Sequence, residues 1–254
     1  MAPQFIEQAT CLFSEFGVNV VQGQRFLGGF VGAKDEANQW ASEKIESWVK
    51  SISILADVAK KQPYAAYVAV SKSLQNEWNY MQRVFPGCEE LFYPLRCALK
   101  DSFLPSLTEQ SITEELLQIL KKPTRMAGLG IRDPVQSSKH AFETSVKATV
   151  MLSDAIVNTG KIDIDIYERS LCAVTAEMKK VTEDNDRSQL EELIDLLPNN
   201  TSRKVRRILE SKCSTWLSIV PTTDNHFALS PDEFRDALSV RYIFIFPKEN
   251  SRYL

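Results

Sequence analysis

The chain reads as mainly α, a multi-helix bundle with one short β-hairpin near the N-terminus, on three observations. Apolar residues recur every three or four positions over most of its length. Glycine and proline are sparse, 9 and 11 of 254 residues, which favours helices separated by short turns. Only the stretch around Gly23 carries the pattern of two short paired strands.

The elements follow in order. Residues 4 to 16 place Phe5, Ile6, Ala9, Leu12, Phe13 and Phe16 at helical spacing, with Gly17 as C-cap. Val18–Val21 and Arg25–Val31 are two apolar runs about a Gln22-Gly23 turn, a hairpin signal. From Asp35 to Gln62 the positions Ala37, Trp40, Ala41, Ile45, Trp48, Ile52, Leu55 and Ala59 form one amphipathic stripe. Pro63 resets the chain, and Tyr67, Val70, Leu74, Trp78 and Met81 mark a second long helix that stops at Pro86-Gly87. The two form a helical hairpin, and Trp40, Trp48, Tyr67 and Trp78 lie on its inward stripes, where core packing is expected.

A third helix covers Cys88–Leu104, interrupted or kinked near Pro94, and a fourth covers Ile112–Leu120 after a Thr108–Ser111 linker. Lys121–Asp133, with Pro123, Gly128 and Gly130, reads as a structured connector. Asp133-Pro134 is an N-cap followed by proline at the first helical position, so a long helix opens there and runs to Asn158, before Gly160. Helices are then expected over Tyr167–Val181, Ser188–Leu197, Ser202–Val220 and Pro231–Tyr242. Thr182–Arg187 is charged without an apolar residue and reads as a flexible link. Asn199 and Asn200, in overlapping glycosylation triplets, read as a turn. Three regions result: 1–32, helix and hairpin; 33–122, a helical bundle; 123–254, a connector and C-terminal helical extension.

Composition narrows the function classes. The net charge of −3 argues against strong autonomous nucleic-acid binding, which is largely electrostatic. Cys11, Cys88, Cys97, Cys172 and Cys213 are odd in number and have no C-x-x-C spacing, so they read as reduced and mostly buried. Neither a signal peptide nor an 18-residue apolar run is present, and an intracellular location, cytoplasmic or nuclear, is expected, with no membrane partner. His140 and His226 stand on different segments without metal-ligand spacing, and no cofactor is expected. Gly28, Gly29 and Gly32 do not form a phosphate loop; they suit close approach of a strand to another backbone. Asp163 and Asp165 alternate with isoleucines and read as a solvated strand or the start of a helix. No Asp-Asp pair follows an apolar strand, as a two-metal polymerase would need.

Two basic clusters remain. Arg203, Lys204, Arg206 and Arg207, followed by Lys212, share a helix whose other side shows Val205, Ile208, Leu209 and Trp216. Lys121, Lys122 and Arg125 form a smaller patch. A helix face of this kind can track phosphates, but a charge cluster on an amphipathic helix is usually just its water-facing side, and the same holds for the smaller patch.

Several segments, taken in order, resemble the region that follows the palm in reverse transcriptases of non-LTR retrotransposons. Gly23-Gln24-Arg25-Phe26-Leu27-Gly28-Gly29-Phe30-Val31-Gly32 is similar to the Leu-Gly hairpin after the catalytic core. Trp40 through Trp48 and Ser73-Leu74-Gln75-Asn76-Glu77-Trp78 resemble thumb helices. Pro123-Thr124-Arg125-Met126-Ala127-Gly128-Leu129-Gly130-Ile131-Arg132-Asp133-Pro134 resembles the connector to a helical extension. Ser214 to Pro221 and Leu229 to Leu238 resemble the last helical elements of these proteins. The resemblance covers nearly the whole chain.

It implies RNA-templated DNA synthesis for the family as a whole, with a thumb that grips the template–primer duplex and a palm that does the chemistry. The palm's Tyr-x-Asp-Asp motif has no counterpart here, nor does a terminal Cys/His knuckle, since Phe246 to Leu254 contains no cysteine pair. The expectation is a fragment without polymerase activity or catalytic residues of its own. Region 1–32 would correspond to the palm-to-thumb junction. The fragment would have weak affinity for an RNA–DNA or RNA duplex; a helical protein–protein interaction module is the alternative.

Overall fold

A computed structural model of the chain describes residues 3–197, 199–211, 214–222 and 228–242. Among the described residues the protein is mainly helical, with one antiparallel β-hairpin. It divides into two compact units, residues 1–44 and 45–254.

The N-terminal unit opens with α1 (Pro3–Ser14). Gly17 closes it in the left-handed conformation at φ +67°, donating to the Ser14 carbonyl at 3.1 Å. The helix is present, but Phe5, Leu12, Phe13 and Phe16 all remain exposed. The hairpin is formed by β1 (Gly23–Phe26) and β2 (Gly29–Gly32), paired Gly23↔Gly32 through Phe26↔Gly29. Its turn is Leu27-Gly28, not Gln22-Gly23, and Val18–Val21 is not a strand. Leu27 and Gly28 take φ +47° and +80°, the double positive φ of a type I′ turn, whose twist matches the strands. Holding a leucine there costs about 1 kcal/mol. Gly23 serves instead at the open end, where a Cβ on Gly32 would lie 2.2 Å from its Cα.

Helix α2 (Lys34–Lys61) starts in the N-terminal unit and ends in the larger one. Asp35 and Glu36 in its first turn and Lys60 and Lys61 in its last complement the helix dipole. Ala37, Ala41, Ile45, Trp48, Ile52, Ala56 and Ala59 are its buried stripe.

In the larger unit, Pro63 opens a continuous helical run: α3 (Pro63–Val68), a π-helical stretch Ala69–Leu74, and α4 (Gln75–Val84). A second run comprises a 3₁₀ turn Glu90–Phe92, α5 (Tyr93–Ala98), a π stretch Leu99–Phe103 and α6 (Leu104–Thr108). Pro94 does not break this run; it sits in the first turn of α5, where its missing N–H has no partner to lose. Next comes α7 (Glu114–Leu120), capped by Thr113, whose hydroxyl accepts from the Leu116 N–H.

The Lys121–Asp133 connector is non-helical apart from a 3₁₀ turn at Thr124–Met126. Asp133 then caps α8 (Pro134–Val157), accepting from the Val135 and Gln136 N–H groups. Asp163 caps α9 (Ile164–Leu196) in the same way, so its carboxylate marks a helix start. Helix α9 runs unbroken through Thr182–Arg187. That segment is no link, because Glu183 pairs with Arg125 and Asp186 with Lys122. Asn199 is not in a turn but opens α10 (Asn199–Ser211). This helix stops well short of Val220, and Thr215–Ser218 is a separate 3₁₀ turn. Helix α11 (Pro231–Tyr242) has a capping box, in which the Glu233 carboxylate accepts from the Ser230 N–H and the Ser230 hydroxyl from the Glu233 N–H.

Two aromatic groups hold the core of this unit. Trp48 stacks on Phe92 (ring centroids 6.4 Å apart), meets Trp78 edge-on (6.2 Å) and donates its indole N–H to Glu77 (2.9 Å). Phe234 of α11 stacks on Tyr64 (5.0 Å), with Tyr67 and Trp216 around it. Trp48, Tyr67 and Trp78 are buried as the stripes predict, while Trp40 is half-buried. Arg235 of α11 closes the end of α2, donating to the Ala59 and Lys60 carbonyls. Of the cysteines, only Cys88 is buried; Cys97 is intermediate, Cys11 and Cys172 are exposed, and Cys213 lies outside the described residues.

A Cβ on Gly128 would fall 1.7 Å from the Lys122 carbonyl oxygen. Backbone rather than a movable side chain stands in the way, so Gly128→Ala should lower stability by about 3 kcal/mol or more, as overpacking of fixed atoms does. Urea denaturation of the two proteins measures this.

Candidate nucleic-acid interface

Helix α10 owes its orientation to one apolar side. Val205 is fully buried in a cluster with Leu190 and Ile194 of α9 and Met126 and Ala127 of the connector, and Ile208 and Leu209 pack beside it. With that side fixed, the 3.6-residue repeat turns Arg203, Arg206 and Arg207 to water, and all three are exposed. Arg206 pairs with Asp195 of α9 at 2.9 Å. Both partners are more than half exposed, so the pair is weak. Among the described residues Arg203 and Arg207 show no ion pair. They stand four residues apart on one face, roughly 6 Å between Cβ atoms, so each raises the other's affinity for an anion. Glu191, Glu192 and Asp195 on α9 and Glu210 on α10 hold the local charge near balance. The Lys204 side chain, and Lys212 entirely, lie outside the described residues.

The second basic cluster is placed differently. Lys121 and Lys122 are buried. The Lys122 ammonium donates to Asp186 at 2.7 Å and to Gln189 at 2.8 Å. That of Lys121 donates to the neutral Gln136 at 2.6 Å, and its nearest carboxylate oxygen, on Asp133, is 3.9 Å away. Both ammonium groups face inward partners rather than a phosphate backbone. Arg125, half exposed, pairs with Glu183 at 2.6 Å.

Asp133 is the centre of this buried set. One oxygen caps α8; the other lies 3.3 Å from the Arg96 Nε, close enough to attract as ions but not aligned as a hydrogen bond. Arg96 and Lys100 together hold Glu114 of α7, and the Glu114 carboxyl is pulled below the usual range, chiefly by its hydrogen bond from Lys100. Arg96, Glu114, Gln136, Asp186 and Gln189 are not distinguishable in the sequence as members of one cluster, because up to 93 positions separate them. Burial pushes the Lys121 ammonium down to about 8, against a partial upward pull from Asp133.

His140 is exposed on α8, and His226 lies outside the described residues. Among the described residues no group of three or more His, Cys, Asp or Glu side chains is placed to hold a metal ion, and no helix is long and apolar enough to cross a membrane.

Two outcomes follow from the buried charges. Asp186→Ala strands the Lys122 ammonium, leaving only Gln189, and should cost about 2–3 kcal/mol, most of it recovered in Lys122→Met/Asp186→Ala. Lys121 behaves oppositely to a paired lysine. Its folded pKa lies below the unfolded value, so the unfolded chain binds more protons between pH 8 and 10.5 and stability rises with pH across that window. The burial of Cys88 pushes its thiol up to about 11 and opposes this trend above pH 9, so the comparison is made against Lys121→Met. The stability of the natural chain relative to that variant should climb from pH 8 to 10.5, as chemical denaturation at each pH will show.

No protein-family model, curated protein or solved structure matches the chain.

Proposed function

We propose that the chain is the post-palm part of a non-LTR retrotransposon reverse transcriptase, its thumb and helical extension. On this reading it carries no polymerase chemistry of its own and makes weak, salt-sensitive contact with an RNA–DNA or RNA duplex. What supports the family reading is the ordered set of segments from Gly23 to Leu238 that resemble that region. The contact rests on one observation: Arg203, Arg206 and Arg207 stand exposed on a helix whose opposite side is locked into the core. A helix already fixed in place loses no backbone freedom on meeting phosphates, and the planar guanidinium fork suits their oxygens. Since Lys121 and Lys122 are engaged internally, the contact narrows to α10, and with a net charge of −3 it is weak.

A second reading, a helical protein-interaction module, is favoured by the paired helices α8 and α9. None of the residues 146–177 is buried, and Val146, Val150 and Val157 are exposed at helical spacing on α8. An apolar contact of that kind is insensitive to salt, whereas three phosphate contacts give log K a slope of about −3 against log salt.

The test is titration of the purified chain with a labelled RNA–DNA hybrid across a salt series. Binding that weakens steeply with salt, and drops at least about tenfold when Arg203, Arg206 and Arg207 are all replaced by Gln, is the expected result. No binding at low salt, or binding unchanged by the triple replacement, removes the α10 contact. Primer extension by the purified chain would overturn the absence of polymerase chemistry.

A further inference from the structure

We infer that Arg241 of α11 is the positioning residue of the α10 contact, tying the exit of that helix to the connector on which it packs. This role rests on the duplex reading of α10. The helix needs such a tie, because 13 residues are marginal by themselves and Val205 is the only fully buried side chain among those described on it. The apolar side decides which way the arginines face, and the exposed Arg206–Asp195 pair adds little.

Arg241 is 8% exposed and, among the described residues, shows no ion pair. Its donors go instead to three neutral oxygens. Nη1 donates to the Ser214 hydroxyl at 2.7 Å, Nη2 to the Thr124 carbonyl at 3.0 Å and Nε to the Tyr242 hydroxyl at 3.1 Å. Burying a cation without a counter-charge is costly, and an apolar side chain would fill the space without that cost. What only a guanidinium supplies is a planar fork that holds several acceptors at once.

Two of those oxygens bracket the seat of α10. Ser214, itself buried, follows closely on Ser211, the last residue of the helix. Thr124 opens the 3₁₀ turn that carries Met126, and Met126 with Ala127 packs against Val205. Beyond Ser214, the Tyr64 hydroxyl donates to the Ile219 carbonyl at 2.9 Å and Trp216 meets Phe234 edge-on at 5.7 Å, so the stretch that Arg241 grips is anchored to α3 and α11. Without the guanidinium, α10 is held by its apolar side and the weak Arg206–Asp195 pair. Arg203, Arg206 and Arg207 then keep their charge but lose their common placement, and ordering them on a duplex opposes binding. Arg241 is too enclosed to meet a phosphate itself.

The test measures RNA–DNA hybrid affinity across a salt series, together with amide hydrogen exchange, for the full natural chain, Arg241→Gln and Ser214→Ala. The second variant removes one acceptor and leaves the guanidinium in place, so it decides by the same two readouts if Arg241→Gln does not fold. Both should speed exchange in α10 relative to α2 and α8. Binding should weaken about tenfold in Arg241→Gln and about threefold in Ser214→Ala, the size of lost hydrogen bonds. The slope of log K against log salt should stay that of the natural chain, whereas loss of a residue that touches phosphate lowers it by about one. A lowered slope, exchange that rises equally in α2, α8 and α10, or affinity and α10 exchange unchanged in Ser214→Ala overturns the proposal. If the natural chain does not bind the hybrid, the duplex reading fails by itself, and α10 exchange in the two variants still decides whether Arg241 seats the helix.

Discussion

A non-helical stretch inside a helical protein must find partners for backbone groups that no helix satisfies, and in the larger unit this obligation falls on the connector Lys121–Asp133. Its amides turn back on the end of α7 and on the connector's own start: Leu129 donates to the Leu120 carbonyl at 2.7 Å and Gly130 to that of Lys122 at 2.9 Å. Outward-facing carbonyls are met from other helices. Tyr67 of α3 donates its hydroxyl to Leu129, Gln75 of α4 its amide to Gly130, and Arg241 of α11 its guanidinium to Thr124. Met126 and Ala127 meanwhile form the floor on which α9 and α10 pack. Segments far apart in the chain therefore converge on thirteen residues, and the close pass of Gly128 over Lys122 is the geometry that lets them do so.

The buried charges belong to the same junction. A desolvated ammonium is costly unless a carboxylate is close, and the two lysines meet that cost unequally. Lys122 is 2.7 Å from Asp186, whereas Lys121 has a neutral amide as its near partner and reaches Asp133 only at 3.9 Å. Burial pushes the Lys121 ammonium down to about 8, and Asp133 at 3.9 Å offsets only part of that. The charges also give the junction direction: Asp133 caps α8 while attracting Arg96, and Arg96 with Lys100 secures α7 through Glu114. Helix starts and inter-helix pairing thus share side chains.

Two kinds of surface remain after this packing. One is the guanidinium row on α10, presented by a helix whose apolar side is fixed. The other is the uncharged hairpin face of the N-terminal unit, whose reverse is occupied by the Phe30–Trp40 stack. The first attracts through charge and weakens with salt, while the second gains only by removing apolar area from water.

Periodicity by itself determined the helical class, the long stripe of α2, the Asp133-Pro134 opening of α8 and the bounds of α11, since spacing and capping residues act over a few neighbouring positions. The hairpin's existence was readable, but its turn was not, because Leu27 takes a backbone conformation that leucine does not favour and that strand pairing imposes. The unbroken course of α9 through Thr182–Arg187 was likewise hidden: a charged run resembles a link until Lys122 and Arg125 supply its counter-charges. For the basic residues the local chemistry was identical, and only the tertiary structure separated the exposed arginines of α10 from the buried Lys121 and Lys122. Burial depends on which distant carboxylates and amides the fold brings within 3 Å, and no local spacing encodes that.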